Sequence, residues 1–502
     1  MLCFVSFVFA SFGCGKAEVA KVVGGLSSTK SLVTEGESAS VLENYEQIIE
    51  LEYSSSTSTL AESCSITSEV NLSVTTPCSC DSGVCTVGIT PGATGVGSFE
   101  YSVSKGSTES NSSSYDLTIK TMVPFVSQWN ITSGNTIELT LGSGFNYDFS
   151  IDWGDGTIEN YDVNNTTISH TYGSSNTFTV TISGLFEALA IESSSRSRLT
   201  SVTELGTVGW KTLSGAFMGC ANLTTVSGGD TSEVTNMSSM FLFASQAVPD
   251  TSTWNTTNVT NMRSMFELAG SANPNTSGWD TSKVTDMSNM FNTATSANPN
   301  TSGWDTSSVA TMEGVFAAAS VATPNTSGWD TSSVTNMKRM FYQATLANPD
   351  TSSWDTSQVT TMEGMFAYTN NANPNTTNWD TSNVTTMKQM FKSAAVANPN
   401  TSGWITASVT DMWDMFENSG AADPDMSGWD FSSVTIIFNM FESNTTLSTA
   451  NYDNLLVQLD QTASSAFSFD AGNATYTIGG AGDTARQSLI AKSWGFTDGG
   501  GI

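Results

Sequence analysis

The sequence predicts a multidomain chain in which all-β sandwiches lead into a capped α/β solenoid of 25-residue coils. Three observations carry that reading: a strict 25-residue period in the second half, strand-like alternation before it, and four cysteines clustered among those strands. Tryptophan recurs at 254, 279, 304, 329, 354, 379, 404 and 429, and proline recurs from 249 to 424 on the same period. Valine repeats from Val234 to Val434, phenylalanine from Phe241 to Phe441, and most of the 20 methionines fill two columns three residues apart. A unit of this length cannot bury its own apolar face, so neighbouring units must stack.

Residues 1–14 read as an export signal. The apolar run MLCFVSFVFASFG is too short to span a bilayer. Ser11-Phe12-Gly13-Cys14 resembles a bacterial lipobox, which implies lipidation at Cys14. A plain cleaved signal peptide is the other reading of the same run. Residues 15–25 follow as a linker.

Residues 26–122 alternate β-branched stretches such as CTVGIT and SYDLTIK with Ser, Gly and Asn turns, the pattern of an antiparallel sandwich. Cys64, Cys78, Cys80 and Cys85 lie within 22 residues. In an exported chain they imply two disulfides of unspecified pairing. A zinc cluster is the rival, disfavoured because the paired C-x2-C knuckles are missing. The segment resembles the immunoglobulin-like stalk modules of bacterial surface proteins.

Residues 123–184 carry Ile151-Asp152-Trp153-Gly154-Asp155-Gly156-Thr157, His170-Thr171-Tyr172 and Phe178-Thr179-Val180-Thr181-Ile182. These pieces resemble a PKD (polycystic-kidney-disease-type) domain, which implies a small β-sandwich with mostly structural aspartates. Asp152 and Asp155 are a candidate calcium pair, although two carboxylates fall short of the six to eight oxygens calcium takes. His170, the one histidine, reads as a hydrogen-bonded structural residue.

The solenoid is expected to have an N-terminal cap at 185–229, repeats at 230–445 and a C-terminal cap at 446–502. Within one unit, Val334, Met337, Met340, Phe341 and Ala344 fall at i, i+3, i+6, i+7 and i+10, which suits a short helix with one apolar stripe. Asp330, Thr331 and Ser332 would start that helix and Pro349 would bar its continuation. The first part of that segment, SSVTNM, reads equally as a short strand, since Val and Thr are good strand formers, and a strand spacing of ~4.8 Å would then set the rise per coil. Cys220 reads as a buried structural thiol. The motif TSxVTxMxxMF, preceded by Trp-Asp and followed by Ala-Asn-Pro, resembles the BspA-like leucine-rich repeat surface proteins of bacteria. That resemblance implies a right-handed leucine-rich-repeat-type α/β solenoid, with Ala347 and Thr351 standing where the family carries larger apolar residues.

Composition narrows the function. With 47 Asp+Glu against 16 Lys+Arg the net charge is −31, so a nucleic acid is excluded as partner and the membrane is reached only through the lipid anchor. A single histidine removes multi-histidine metal sites and most triads. No carboxylate pair stands apart from the repeats, so the chain reads as no enzyme, and a carbohydrate-active solenoid enzyme is a distant alternative. No cofactor is implied. Calcium is the candidate cation, at Asp152 and Asp155 or along the repeated aspartates such as Asp330 and Asp355. The variable columns four residues apart share one exposed helical stripe. On and beside it lie Arg263, Lys338, Arg339, Tyr342, Tyr368, Lys388, Lys392 and Trp413 as candidate ligand contacts. The resulting expectation is an exported, lipid-anchored outer-membrane or cell-surface adhesin that binds protein or glycan on another cell or matrix. A structural envelope rod is the alternative.

Overall fold

The computed structural model describes residues 32–34, 37–55, 60–132 and 134–502; the leader, Cys14 and the linker lie outside them. The first module contains β1 (Leu32–Thr34), β2 (Glu37–Leu42), β3 (Gln47–Leu51), β4 (Tyr53–Ser55), β5 (Ser63–Val70), β6 (Leu72–Asp81), β7 (Val84–Pro91), β8 (Gly95–Lys105), β9 (Thr108–Glu109) and β10 (Ser113–Lys120). One sheet runs β2-β10-β8-β5 with β9 on β8, a second runs β3-β7-β6, and β1 pairs with β4. Alternate residues point inward, and Val87, Ile89, Phe99, Tyr101, Leu117 and Ile119 build a closed core of their own. Cys64–Cys78 joins the edge strands β5 and β6 of the two sheets, and Cys80–Cys85 crosses the β6–β7 hairpin.

The second module contains β11 (Phe125–Ile131), β12 (Thr136–Leu141), β13 (Tyr147–Asp152), β14 (Ile158–Tyr161), β15 (Thr166–Thr171), β16 (Asn176–Phe186) and β17 (Ala190–Ile191). The strands β18 (Leu199–Glu204) and β19 (Thr225–Val226) extend its larger sheet, whose order is β14-β13-β16-β11-β18-β19. A break at 184/185 would therefore cut through β16 and remove the strand on which β18 rests. Trp210 of the first coil meets Phe125 and Phe186 edge-on at 6.0 and 5.6 Å. An open sheet edge and an open solenoid end both need covering, and here each covers the other. One apolar core accordingly runs from Phe125 to Trp494.

The repeats correct the expected α/β coil. Between Val234 and Phe441 no helix forms; the described residues hold two α-helices, α1 (Thr449–Thr462) and α2 (Ala481–Ala491), both beyond the last repeat. Each coil is instead a chain of hydrogen-bonded turns. Met340 N–H donates to the Met337 carbonyl at 3.3 Å, Tyr342 to Arg339 at 3.1 Å and Ala344 to Phe341 at 3.0 Å. The intervening amides of Met337, Arg339, Phe341 and Gln343 donate forward to Thr361, Glu363, Met365 and Ala367 in the next coil, at 2.8–3.2 Å. An α-helix would spend all of these donors inside one segment. Positive φ at Arg339 (54°) and Gln343 (57°) breaks the right-handed run, and the same two columns are left-handed in neighbouring coils. Only a single-residue parallel bridge per coil, such as Asn336 to Thr361, resembles a strand. The leucine-rich-repeat-type α/β solenoid is thus replaced by stacked turns. The apolar spacing identified the buried face all the same, since Val334, Met337, Met340, Phe341 and Ala344 are fully buried.

Stacking fills the interior with ladders. Phenylalanine rings repeat at 5.2–5.8 Å and the tryptophans from 304 to 429 at 6.0–6.4 Å. Both exceed the expected strand spacing, because side-chain stacks and turns, not a continuous sheet, set the rise. The wider Trp side also makes the stack arc toward the Phe side. Where the chain has Thr351 instead of a large apolar residue, the buried hydroxyl donates to the Asn375 carbonyl of the next coil at 2.7 Å. Thr331 does the same to Asp355 at 2.8 Å, so two buried threonine columns tie the coils. At the far end Ser448 caps α1 by accepting the Asn451 amide, and Tyr452, Leu455, Leu456 and Leu459 cover the exposed stack.

Candidate ligand-binding face

The turns that carry the coil-to-coil amide ladder also carry the variable residues. In these turns Met337, Met340, Phe341 and Ala344 point in, and Lys338, Arg339, Tyr342 and Gln343 between them point out. Lys338, Tyr342, Tyr368, Lys388, Lys392 and Trp413 stand on this outer face beside Arg339, within consecutive coils. The stripe is built from turns and not from the predicted helix, so the columns lie on a surface fixed by bonds to both neighbours.

Each cation on this face has a partner. Lys338 lies 2.9 Å from Glu363, and Arg339 reaches the same carboxylate at 3.8 Å while its guanidinium sits 5.4 Å from the Tyr342 ring centre. Tyr342 meets Tyr368 edge-on at 5.4 Å. The Lys388 ammonium lies 4.3 Å over the Trp413 ring. Lys392 bonds Asp414 at 2.7 Å and Glu417 at 2.5 Å. Its pKa is raised: desolvation opposes the charge, but the two carboxylates outweigh it. Glu417 is shifted up, by burial first and by the adjacent Asp414. Arg263 lies three coils away from Lys338, paired at 3.8 Å with Asp286, and does not join the cluster. Sequence reasoning missed Glu363 and Asp414 as partners. It also missed Phe438, 53% exposed in Trp413's own column, and Ile436, 44% exposed two residues before it. Following that column one coil further, from Trp413 to Phe438, would have found the first of them.

The aspartate sites are occupied by backbone. Asp330 accepts the Ser332 amide at 2.9 Å, and the Ser332 hydroxyl and amide hold its pKa down. Asp355 accepts Ser357 in the same way at 2.9 Å. Asp152 accepts Gly154 N–H at 2.8 Å, and Asp155 accepts Thr157 N–H at 3.0 Å and bonds His170 Nε2 at 2.8 Å. Partial desolvation would raise Asp155, but these bonds keep it below the usual range. Left-handed Gly154 has Thr179 backbone 2.4 Å from where a Cβ would sit, so this turn requires glycine. His170 stacks on Trp153 at 5.2 Å. Among the described residues one group of three or more His, Cys, Asp or Glu ligand atoms converges, that of Cys64, Cys80 and Cys85, and its sulfurs are consumed in disulfides. Cys220 is buried, and burial pushes its thiol up to about 12.

The regular tryptophan column is at most 4% exposed and offers no solvent platform. Trp329 and Trp429 donate to the Thr301 and Thr401 carbonyls at 3.5 and 3.4 Å. Two joints hold the modules together. Lys120 bonds Asp230 and the Ser232 hydroxyl across the first module and the solenoid. Glu187, raised by burial, accepts the Asn146 amide at 2.7 Å with its carboxylate inside the second module, while its carbonyl accepts the Lys211 amide of the first coil at 2.9 Å. No helix among the described residues is long and apolar enough to cross a membrane.

Residues 211–326, 269–379 and 346–455 match the family model described as Mycoplasma protein of unknown function, DUF285. No curated protein and no solved structure matches the chain. The matched stretch, 211–455, spans the turn-built coils and just under half of the sequence, and over it the chain is similar to that family of repeat proteins.

Proposed function

We propose that this is an exported surface-binding protein whose solenoid presents its outer turn face to a protein or glycan ligand on another cell or matrix. One observation carries the reading. Five consecutive coils each present an aromatic ring or a cation on one rigid face (Tyr342, Tyr368, Lys388, Trp413 and Phe438), whereas the buried columns are nearly uniform. The resemblance of the repeats to BspA-like surface proteins, and of the preceding modules to immunoglobulin-like and PKD-like spacers, supports it. In this reading Cys14 carries the lipid anchor and the sandwiches hold the solenoid away from the envelope. Many modest contacts on a repeated surface favour a multivalent ligand. The continuous core from Phe125 to Trp494 also suits a stiff envelope rod. The test compares attachment of cells displaying the full chain with cells displaying a Tyr368→Ala/Trp413→Ala variant of unchanged melting behaviour. Loss of attachment supports a binding face. Equal attachment leaves the rod.

A further inference from the structure

The geometry points to the ligand class of this face: an extended, uncharged glycan chain lying along the solenoid, one sugar ring per coil, from Tyr342 to Phe438. The inference rests on the surface-binding reading above. Three features select the ligand.

The first is charge. Lys338 and Arg339 are neutralised by Glu363 and Lys392 by Asp414 and Glu417, which leaves Lys388, seated on Trp413, as the one cation of this cluster without a carboxylate, too little charge to hold an anionic chain. Sulfated or phosphorylated polymers are disfavoured further by the net charge of −31.

The second is the kind of surface. Trp413 is 36% exposed although pinned by Lys388, and Phe438 is 53% exposed one coil on. Aromatic faces carry partial negative charge and attract the weakly positive C–H groups of a sugar ring. Gln343, Ser393 and Asn418, in the column that also carries Tyr368, are neutral hydrogen-bonding groups for hydroxyls.

The third is length. Equivalent points in successive coils are 5.2–5.6 Å apart at the phenylalanine ladder directly beneath this face. A β-linked pyranose advances by about one coil per residue. An extended peptide repeats its same-face side chains every ~6.8 Å and drifts out of step by roughly 1.2–1.6 Å per coil. Because every turn is bonded to both neighbours, the track is rigid and its register is preset.

Calorimetric titration of the full-length protein with chitin- and cellulose-derived oligosaccharides of two to six residues tests this. Affinity is expected to rise at least tenfold from dimer to pentamer and by less than twofold from pentamer to hexamer. Trp413→Ala and Tyr368→Ala should each weaken pentamer binding at least fivefold, Trp413→Phe should retain most of it, and Arg263→Ala should change it less than twofold. Circular dichroism and melting curves check that each variant folds. Length-independent affinity overturns the inference, as does indifference to Trp413→Ala. Tighter binding of a sulfated oligosaccharide with steep salt dependence also overturns it. If the double variant loses cell attachment while none of these oligosaccharides binds, the glycan assignment fails and the binding face stands. If oligosaccharides bind in register but attachment is unchanged, the glycan track stands and the adhesive reading fails.

Discussion

Exchanging glycine at two positions in the coil distinguishes a turn-built repeat from a helical one by the sign of a stability change. Gly364 has φ of 61° and Gln343 has φ of 57°, so both lie in the left-handed region. Giving residue 364 a Cβ in Gly364→Ala costs ~1–2 kcal/mol for the left-handed backbone. The reduced freedom of the unfolded chain returns ~0.4–1 kcal/mol. The new methyl would approach Arg339 Cγ at 3.3 Å, the stem of a flexible side chain that shifts at little cost. The net expectation is a loss of about 1 kcal/mol. In a right-handed helix the same exchange would instead stabilise by about 1 kcal/mol. Gln343→Gly should behave inversely, gaining up to about 1 kcal/mol where a helix would lose that amount. Guanidinium unfolding followed by tryptophan fluorescence reads the shift, since eight of the 13 tryptophans lie in the repeat column. Amide exchange at Phe366 and Phe341 localises it. A stabilised Gly364→Ala together with a destabilised Gln343→Gly would refute the turn geometry.

Two further outcomes follow from separate parts of the molecule. Because the first module has its own core, Cys64→Ser should destabilise that module by about 3 kcal/mol for its short loop and leave the solenoid transition in place in calorimetry. A single shifted transition would contradict it. The second concerns acid. Asp280, Asp330 and Asp380 are held below 3.8 by the hydroxyl and amide of the serine two residues on. A folded pKa below the unfolded one gives stability that is complete above the unfolded value and lost as pH falls through the folded value. The melting temperature should therefore fall below about pH 4, and less steeply in an Asp280→Asn/Asp330→Asn/Asp380→Asn variant. Asn255 already closes the same turn in its coil at 3.0 Å, so the variant keeps its backbone bond. An equal acid decline in both proteins would sink this account.

How much of the site was legible depended on the column. Trp413, Lys388 and Tyr368 stood out because they vary where Met340 and Phe341 do not. The pairing of Lys338 with Glu363 and of Lys392 with Asp414 could not be read, because the partners belong to the next coil and side-chain reach depends on the turn path. Lys120 and Asp230 are 110 residues apart in the chain and gave no local signal.

By itself the sequence determined the period, the buried columns and the sandwiches' strand character. All of these follow from apolar spacing, which reports which side chains leave water. Only the tertiary structure decided what backbone connects them. The i, i+3, i+7 spacing arises equally from a helix and from successive turns, since both return to one face about every three to four residues. Stacking chose between them: with a neighbour on each side, alternate amides found carbonyls in the next coil, and a helix had no need to form. Glycines 215, 219, 314 and 364, in the two columns that are left-handed throughout, were the one local trace of that choice. The joint between β11 and β18 had no trace at all. It exists because an open sheet edge and an open solenoid end meet in space.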